Sequence, residues 1–178
     1  PNRVRREEQL IDLALTTAAA ETPVEPAQAI PPGSGQPTIA VQSGMGEVKL
    51  DSQYAVAHNR RGFQLASAGK YDQAIAHFDE AIRIDPDYAP AYNNRGYACA
   101  AKKEYERAIG DFDHAIRLDA GFAAAYNNRA LAYTAKREYE RAVADASEAI
   151  RLDSSIALAY HNRGFAHAAL GQYDRAID

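Results

Sequence analysis

The feature that most constrains this chain is a short motif that returns every 34 residues. Its four copies are His58-Asn-Arg-Arg-Gly-Phe63, Tyr92-Asn-Asn-Arg-Gly-Tyr97, Tyr126-Asn-Asn-Arg-Ala-Leu131 and Tyr160-His-Asn-Arg-Gly-Phe165. A second motif keeps the same interval and begins at Tyr71, Tyr105, Tyr139 and Tyr173. A fixed period of this size indicates a repeat array, in which each unit buries its apolar face against its neighbours. We therefore expect function to reside on an extended surface.

Each repeat carries two helical patterns joined by a turn. In the second repeat, Tyr92, Gly96 and Cys99 are spaced to share one face of a first helix. A turn is predicted around Lys103, and apolar residues recur at helical spacing from Ala108 to Ile116. The spacing thus predicts one helical hairpin per repeat.

These residues resemble the tetratricopeptide repeat (TPR) family. The shared pattern is a large residue followed four positions later by Gly or Ala, a Tyr at the turn, then Ala, Phe and Ala along the second helix and a closing Pro. The resemblance covers residues 55–178. It implies an all-α fold, a right-handed superhelical solenoid of antiparallel helix pairs with a concave groove lined by the first helices. Small residues at Gly62, Gly96, Ala130 and Gly164 are expected to let the paired helices approach closely.

The third repeat departs from the pattern at a core position. Ala146 stands where Phe78 and Phe112 stand in the first two repeats. Loss of a buried phenylalanine in a fixed core costs about 3 to 5 kcal/mol. Unless neighbouring side chains fill the space, we expect this repeat to be the weak point of the array. Ala120 and Ser154 also replace Pro86.

The composition divides the chain before the array begins. Residues 1–20 form an N-terminal segment in which 3–20 have the pattern of a short helix. Residues 21–46 hold five prolines and four glycines, typical of a flexible linker. Residues 47–54 are a candidate stub of a diverged repeat, because Val48-Lys-Leu-Asp51 matches the Ile-Arg-Ile-Asp string ending at Asp85. The predicted repeats are 55–88, 89–122, 123–156 and a truncated 157–178.

Charge and composition argue against several partners. The net charge is −4 and basic residues alternate with acidic ones, which argues against nucleic-acid binding. No apolar run reaches the ~18 to 20 residues of a membrane span. Cys99 is the only cysteine, so it cannot form a disulfide within the chain, and cytoplasm and periplasm stay open. The Asn-Arg-Gly strings are similar to those of bacterial members of the family.

No residue pattern predicts catalysis. The sequence contains no phosphate-binding loop, no nucleophile elbow and no pair of histidines at metal-ligand spacing. The histidines are interpreted as substitutions within the repeat pattern, with His58 in place of a tyrosine and His77 on a second helix. We expect no enzyme activity, no cofactor and no metal. Cys99 is expected to be a packed thiol.

The resemblance places two sets of residues in the groove. They are Arg60, Asn94, Asn128 and Asn162 at one repeat position, and Phe63, Tyr97, Leu131 and Phe165 one helical turn further on. An asparagine offers a donor and an acceptor, as a peptide main chain does. The arrangement is similar to the asparagine ladder of O-linked N-acetylglucosamine transferases. Alternatively, these asparagines bond only to neighbouring helices and water.

Another binding mode of the family is not expected. Members that bind chaperone tails hold a C-terminal carboxylate with lysine, arginine and asparagine from three repeats. Only Asn94 fits that pattern, and the other four positions hold Asn59, Phe63, Ala124 and Asn128. A separate set, Arg61, Arg95, Arg129 and Arg163, recurs at one repeat position and is predicted to bind acidic neighbours between repeats. On the second helices, Asp79 with Arg83 and Asp113 with Arg117 have the spacing of i, i+4 ion pairs and are interpreted as part of a solvated outer face.

Three functions agree with these patterns. The leading one is a scaffold that binds a protein or peptide in the groove. A second makes the chain a regulatory segment of a larger multidomain enzyme or sensor. A third is self-association by end-to-end stacking of repeats through the uncapped C-terminal end, or docking of residues 3–20 on a repeat surface.

Overall fold

The computed structural model describes residues 47–176, and within that range the secondary structure is entirely helical. The helices are α1 Glu47–Ser67, α2 Tyr71–Ile84, α3 Ala89–Ala101, α4 Tyr105–Leu118, α5 Ala123–Ala135, α6 Tyr139–Leu152, α7 Ala157–Ala169 and α8 Tyr173–Ala176. The all-α prediction is confirmed. In this part of the chain, none of the helices is long and apolar enough to cross a membrane. The helix predicted over 3–20 and the linker over 21–46 lie outside the described residues.

The helices pack in consecutive pairs, and each pair packs on the next. We call α1, α3, α5 and α7 the first helices and α2, α4, α6 and α8 the second helices. The first helices also contact one another from repeat to repeat. They therefore form one continuous side of a helical solenoid.

The first helix of the array is longer than the others. It starts at Glu47, so residues 47–54 continue directly into the helix that carries His58. Asp51 lies inside this helix, whereas Asp85 is the C-terminal cap of α2. In the structure, the candidate stub is thus an extension of repeat 1 rather than a separate element.

The turn inside each helix pair uses one residue in the left-handed region. The four residues are 34 positions apart: Gly69 (φ 72°), Lys103 (φ 66°), Arg137 (φ 63°) and Gly171 (φ 76°). The amide of the residue that follows bonds back to the first helix, as from Lys70 to the carbonyl of Leu65 at 2.9 Å. This is the Schellman arrangement, which satisfies carbonyls at a helix end and reverses the chain.

The loop between pairs is set by an aspartate. The carboxylates of Asp85, Asp119 and Asp153 accept the backbone N–H two residues later, at 3.1, 2.9 and 2.9 Å. An aspartate bonded in this way mimics a backbone turn. The loop is therefore retained where Ala120 and Ser154 replace proline.

The core of each pair depends on the contact between a small residue and an aromatic ring. A Cβ on Gly62 would lie 2.6 Å from the ring of Phe78, and one on Gly96 would lie 2.7 Å from the ring of Phe112. Glycine is needed at both positions because the ring occupies the space of a methyl group. The third repeat holds two alanines instead, Ala130 and Ala146, and both are fully buried.

In the third repeat, the larger buried side chains lie on the first helix. Tyr133 and Thr134 are buried on α5 at the positions of Cys99 and Ala100. Tyr133 packs with Ala142 of the same repeat, among other residues. The volume that the second repeat carries on its second helix is thus shifted toward the first helix in the third.

Candidate functional site

The predicted groove residues all lie on the first helices but differ in exposure. Asn128, Leu131 and Asn162 are buried, with 4%, 3% and 3% of their surface exposed. The other five are half-buried: Arg60, Phe63, Asn94, Tyr97 and Phe165. Four of these five belong to the first two repeats, so the accessible part of the predicted site is concentrated there.

The asparagines form hydrogen-bonded pairs between repeats. Each one at the predicted groove position donates its Nδ2 to the Oδ1 of an asparagine in the preceding repeat. These asparagine pairs are Asn94 to Asn59, Asn128 to Asn93 and Asn162 to Asn127, each at 3.0 Å. Much of their hydrogen-bonding capacity is thus used in joining first helices, as the alternative interpretation stated. Ligand binding by these residues stays a prediction.

The third repeat leaves two polar atoms without partners. In the second repeat, Asn93 donates to the Oδ1 of Asn94 at 3.3 Å. The equivalent atoms, Asn127 Nδ2 and Asn128 Oδ1, are buried and make no hydrogen bond within the described chain. A buried polar group without a partner costs about 1 to 3 kcal/mol. The middle of the array therefore gives up some stability at this pair.

Three of the accessible groove residues, Phe63, Asn94 and Tyr97, line a cleft between the first and second repeats, which we call the Phe63–Tyr97 cleft. Its lining is Phe63, Ala66, Ser67, Phe78, Asn93, Asn94 and Tyr97. Burial raises the pKa of Tyr97 to about 12, so its hydroxyl stays protonated. The cleft thus combines the half-buried rings of Phe63 and Tyr97 and the buried ring of Phe78 with the half-buried amide of Asn94.

Two arginines connect the second helices. Arg95 binds both carboxylate oxygens of Asp111 at 2.6 and 2.9 Å and Asp79 of the preceding repeat at 2.6 Å. Arg129 binds the next pair in the same way, Asp145 at 2.7 Å twice and Asp113 at 2.6 Å. We call these the arginine bridges. They agree with the prediction that arginines at this position bind acidic neighbours between repeats.

Both arginines of the bridges have a raised pKa and stay protonated. Burial disfavours the charge on Arg95, but its bonds to Asp111 and Asp79 outweigh that effect and raise its pKa. For Arg129 the bond to Asp145 is the main cause of a raised pKa. The sequence pattern suggested that Asp79 and Asp113 pair with an arginine four residues later on the same helix. That interpretation is wrong, because both carboxylates face the next repeat.

The other two arginines of this set lack a bridge. Arg61 contacts Gln64 at 3.4 Å, and His77 occupies the position that Asp111 and Asp145 hold in later repeats. Arg163 lies over the ring of Tyr160, and Ser147 stands where the preceding repeat would supply an aspartate. Among the described residues, the bridges are thus found at the junctions between repeats 1 and 2 and between repeats 2 and 3.

The structure also brings together two histidines that the sequence pattern kept apart. His58 on α1 and His77 on α2 lie with their Nδ1 atoms 3.2 Å apart. Burial, His58 and the cation of Arg61 lower the pKa of His77. The remaining reactive candidate, Cys99, is fully buried, and burial raises the pKa of its thiol to about 11, as expected of a packed side chain. Over residues 47–176, no three His, Cys, Asp or Glu side chains group as metal ligands.

Comparison with protein families gives three matches to repeat models. A model described as TPR repeat matches residues 62–102, and two described as tetratricopeptide repeat match 89–122 and 123–156. Together they span more than half of the chain. A comparison with curated proteins gives no match.

Solved structures share the architecture. The first TPR domain of Spaghetti (RPAP3), bound to the HSP90 peptide SRMEEVD, is 27% identical with a TM-score of 0.65, over 67% of this chain and 95% of that one. The second TPR domain of human RPAP3, in complex with an HSP70 peptide, is 26% identical with a TM-score of 0.62, over 65% and 97%. MamA is 25% identical with a TM-score of 0.65, over 73% and 76%. The bacterial assignment stays a prediction, since these neighbours include a human protein.

Proposed function

The chain belongs to the tetratricopeptide repeat family, and we propose that it is a scaffold that binds a peptide segment of a partner protein in the Phe63–Tyr97 cleft. The observation that carries the proposal is the composition and exposure of this cleft. Repeat domains of similar structure are known in complex with HSP90 and HSP70 peptides. An interaction module needs no catalytic group, and we propose none.

The space inside the cleft is about 10 Å³, so an extended peptide would lay an apolar side chain across the mouth of the cleft, against its two half-buried rings. Phe63 and Tyr97 present aromatic surface, which supplies most of the binding energy in small recognition sites. Asn94 is the only asparagine of the predicted ladder that is not fully buried in the described chain, so it is best placed to bond a peptide main chain.

Arg60 adds a charge preference. It is half-buried, and the described residues provide it with no ion pair. A carboxylate of the ligand beside the cleft would supply the missing partner. We therefore propose a ligand with an apolar residue next to an acidic one.

The proposed mode of binding does not depend on a terminal carboxylate of the ligand. Four of the five positions that would grip a terminal carboxylate hold Asn59, Phe63, Ala124 and Asn128, none of them a cation. Without lysine or arginine there, a terminal carboxylate would lose its solvation without gaining charge-assisted hydrogen bonds.

Selection from a phage-displayed library of random linear peptides tests the proposal. The enriched peptide, labelled for fluorescence anisotropy, should bind the wild-type chain. It should bind Asn94→Ala and Tyr97→Ala at least about tenfold more weakly, a change of about 1.4 kcal/mol. Arg151→Ala is a control, because Arg151 is exposed, lies outside the lining of the cleft and pairs with Glu148 on its own helix. Unchanged binding by both cleft variants would refute the proposed site.

Two further measurements separate the alternatives. The peptide SRMEEVD, as used with the structural neighbour, and its C-terminal amide should compete equally, because both carry apolar residues next to acidic ones. Competition by the free acid alone would instead favour a carboxylate-binding mode. Asn128 does not line the cleft but bonds the lining residue Asn93, so Asn128→Ala should lower stability more than affinity. Self-association through the C-terminal end stays a prediction, and a concentration-independent mass by light scattering would count against it.

A further inference from the structure

The first repeat differs from its neighbours at two positions that touch. In the later repeats, the position of His58 holds Tyr92, Tyr126 and Tyr160, and the position of His77 holds Asp111 and Asp145. The first repeat thus replaces a tyrosine and an aspartate with two histidines that contact each other. Arg61 consequently loses the carboxylate that its equivalents bind.

The two imidazoles have the separation of metal ligands. Their Nδ1 atoms lie 3.2 Å apart, and the ring planes are inclined by 40°. A divalent zinc ion binds histidine nitrogen at about 2.0 to 2.1 Å, so two nitrogens on a tetrahedral ion lie roughly 3.3 Å apart. Little movement of either ring would therefore be needed to admit an ion.

The contact of 3.2 Å between the two Nδ1 atoms requires a lone pair on one of them, so at least one ring is neutral. The neutral ring offers a lone pair to a metal, which the imidazolium does not. In the absence of metal, one ring donates its Nδ1 hydrogen to the other, and metal binding would move that hydrogen to Nε2.

We propose that His58 and His77 bind a divalent transition-metal ion, Zn²⁺ or Cu²⁺, that links α1 to α2 in the first repeat. Imidazole ligands suit both ions, and Cu²⁺ is expected to bind more tightly. Because the described residues provide no third ligand of the His, Cys, Asp or Glu type, water completes the coordination. The positive charge of Arg61 weakens the site, and Glu80 is held by Arg83 at 2.9 Å. The site is thus an exchangeable one.

The repeat itself supplies the test variants. His58→Tyr and His77→Asp install the residues that later repeats carry at these positions, so both variants should fold. Isothermal titration of the untagged chain with ZnCl₂ or CuCl₂ should show one ion bound per chain. Each substitution should lower the affinity at least about tenfold. His161→Asn is the matched control, because it installs the residue of the other repeats at an exposed histidine and should bind normally.

Two readouts separate a metal site from a purely structural contact. Electron paramagnetic resonance of the Cu²⁺-loaded chain should show coordination by two imidazole nitrogens, reduced to one in either variant. Zn²⁺ should raise the midpoint of thermal unfolding of the wild-type chain and leave that of His58→Tyr unchanged. Absence of binding to the wild-type chain would overturn the proposal. Equal binding by both variants would also overturn it, since the ion would then lie elsewhere.

Discussion

The second and third repeats have the same helices but pack their cores in opposite ways. The second places the ring of Phe112 on its second helix against Gly96, while the third has Ala146 and Ala130 at these positions and buries Tyr133 and Thr134 on its first helix. The helix lengths are identical, with 13 residues in α3 and α5 and 14 in α4 and α6. The backbone of the repeat is thus set by its turns and its period, and the position of the core volume can change between repeats.

The strongest test of this comparison removes the ring of the second repeat. Phe112→Ala should lower the free energy of unfolding by about 3 to 5 kcal/mol, because Gly96 leaves the cavity empty. This loss of unfolding free energy can be measured by urea denaturation monitored by circular dichroism. Adding Gly96→Ala should recover part of the loss, and a double variant no more stable than Phe112→Ala would show that the two alanines of repeat 3 are not a matched pair.

Removal of an arginine bridge should come next in size. Arg95→Ala and Arg129→Ala leave Asp111 and Asp145, both buried, without a cation, at a cost of about 2 to 4 kcal/mol each. Similar losses are expected, since the two bridges have the same geometry. If Arg129→Ala were nearly neutral in the same denaturation experiment, the third repeat would differ in more than its core.

A smaller effect is expected from forcing the third repeat to copy the second. Ala146→Phe should cost about 1 to 3 kcal/mol, because the methyl group of Ala130 stands where the ring requires glycine. The double variant Ala130→Gly, Ala146→Phe should be more stable than Ala146→Phe alone in thermal unfolding. A double variant that is less stable would mean that Tyr133 already occupies the space.

The smallest expected change lies in the turns. Lys103 adopts the left-handed conformation that Gly69 adopts in the first repeat. Lys103→Gly should therefore stabilise the chain by about 0.5 to 1 kcal/mol, the relief of strain exceeding the added freedom of the unfolded state. Gly69→Ala is the converse control and should destabilise the chain. The added Cβ would meet no neighbouring atom, so the loss would come from the left-handed backbone conformation alone. Hydrogen exchange of the turn amides would detect both effects.

The 34-residue period predicted the helix pairs because a helical hairpin is a local structure, defined by spacing within one repeat. Contacts between repeats were harder to predict. Asp79 was assigned to the arginine four residues later, yet it binds Arg95, 16 residues away. The signal was present, since an aspartate stands 16 residues before and after both Arg95 and Arg129. Its meaning depends on how far one repeat is rotated against the next, which a single repeat does not encode.

The same limit applies to the groove. The family resemblance located Asn94, Asn128 and Asn162 on one stripe, but the pairing of each with the preceding repeat depends on the distance between first helices. The histidine pair depends on a different contact, the packing of α1 against α2 within the first repeat, and His58 and His77 share no sequence motif.

The arginine bridges have a mechanical consequence. The junctions between repeats 1 and 2 and between repeats 2 and 3 are fastened along both edges, by an asparagine pair on one side and an arginine bridge on the other. The junction between repeats 3 and 4 keeps the pair of Asn162 and Asn127 but has Ser147 in place of the bridging aspartate. Under a bending load the described array would therefore be stiff over its first three repeats and would flex at the junction between repeats 3 and 4.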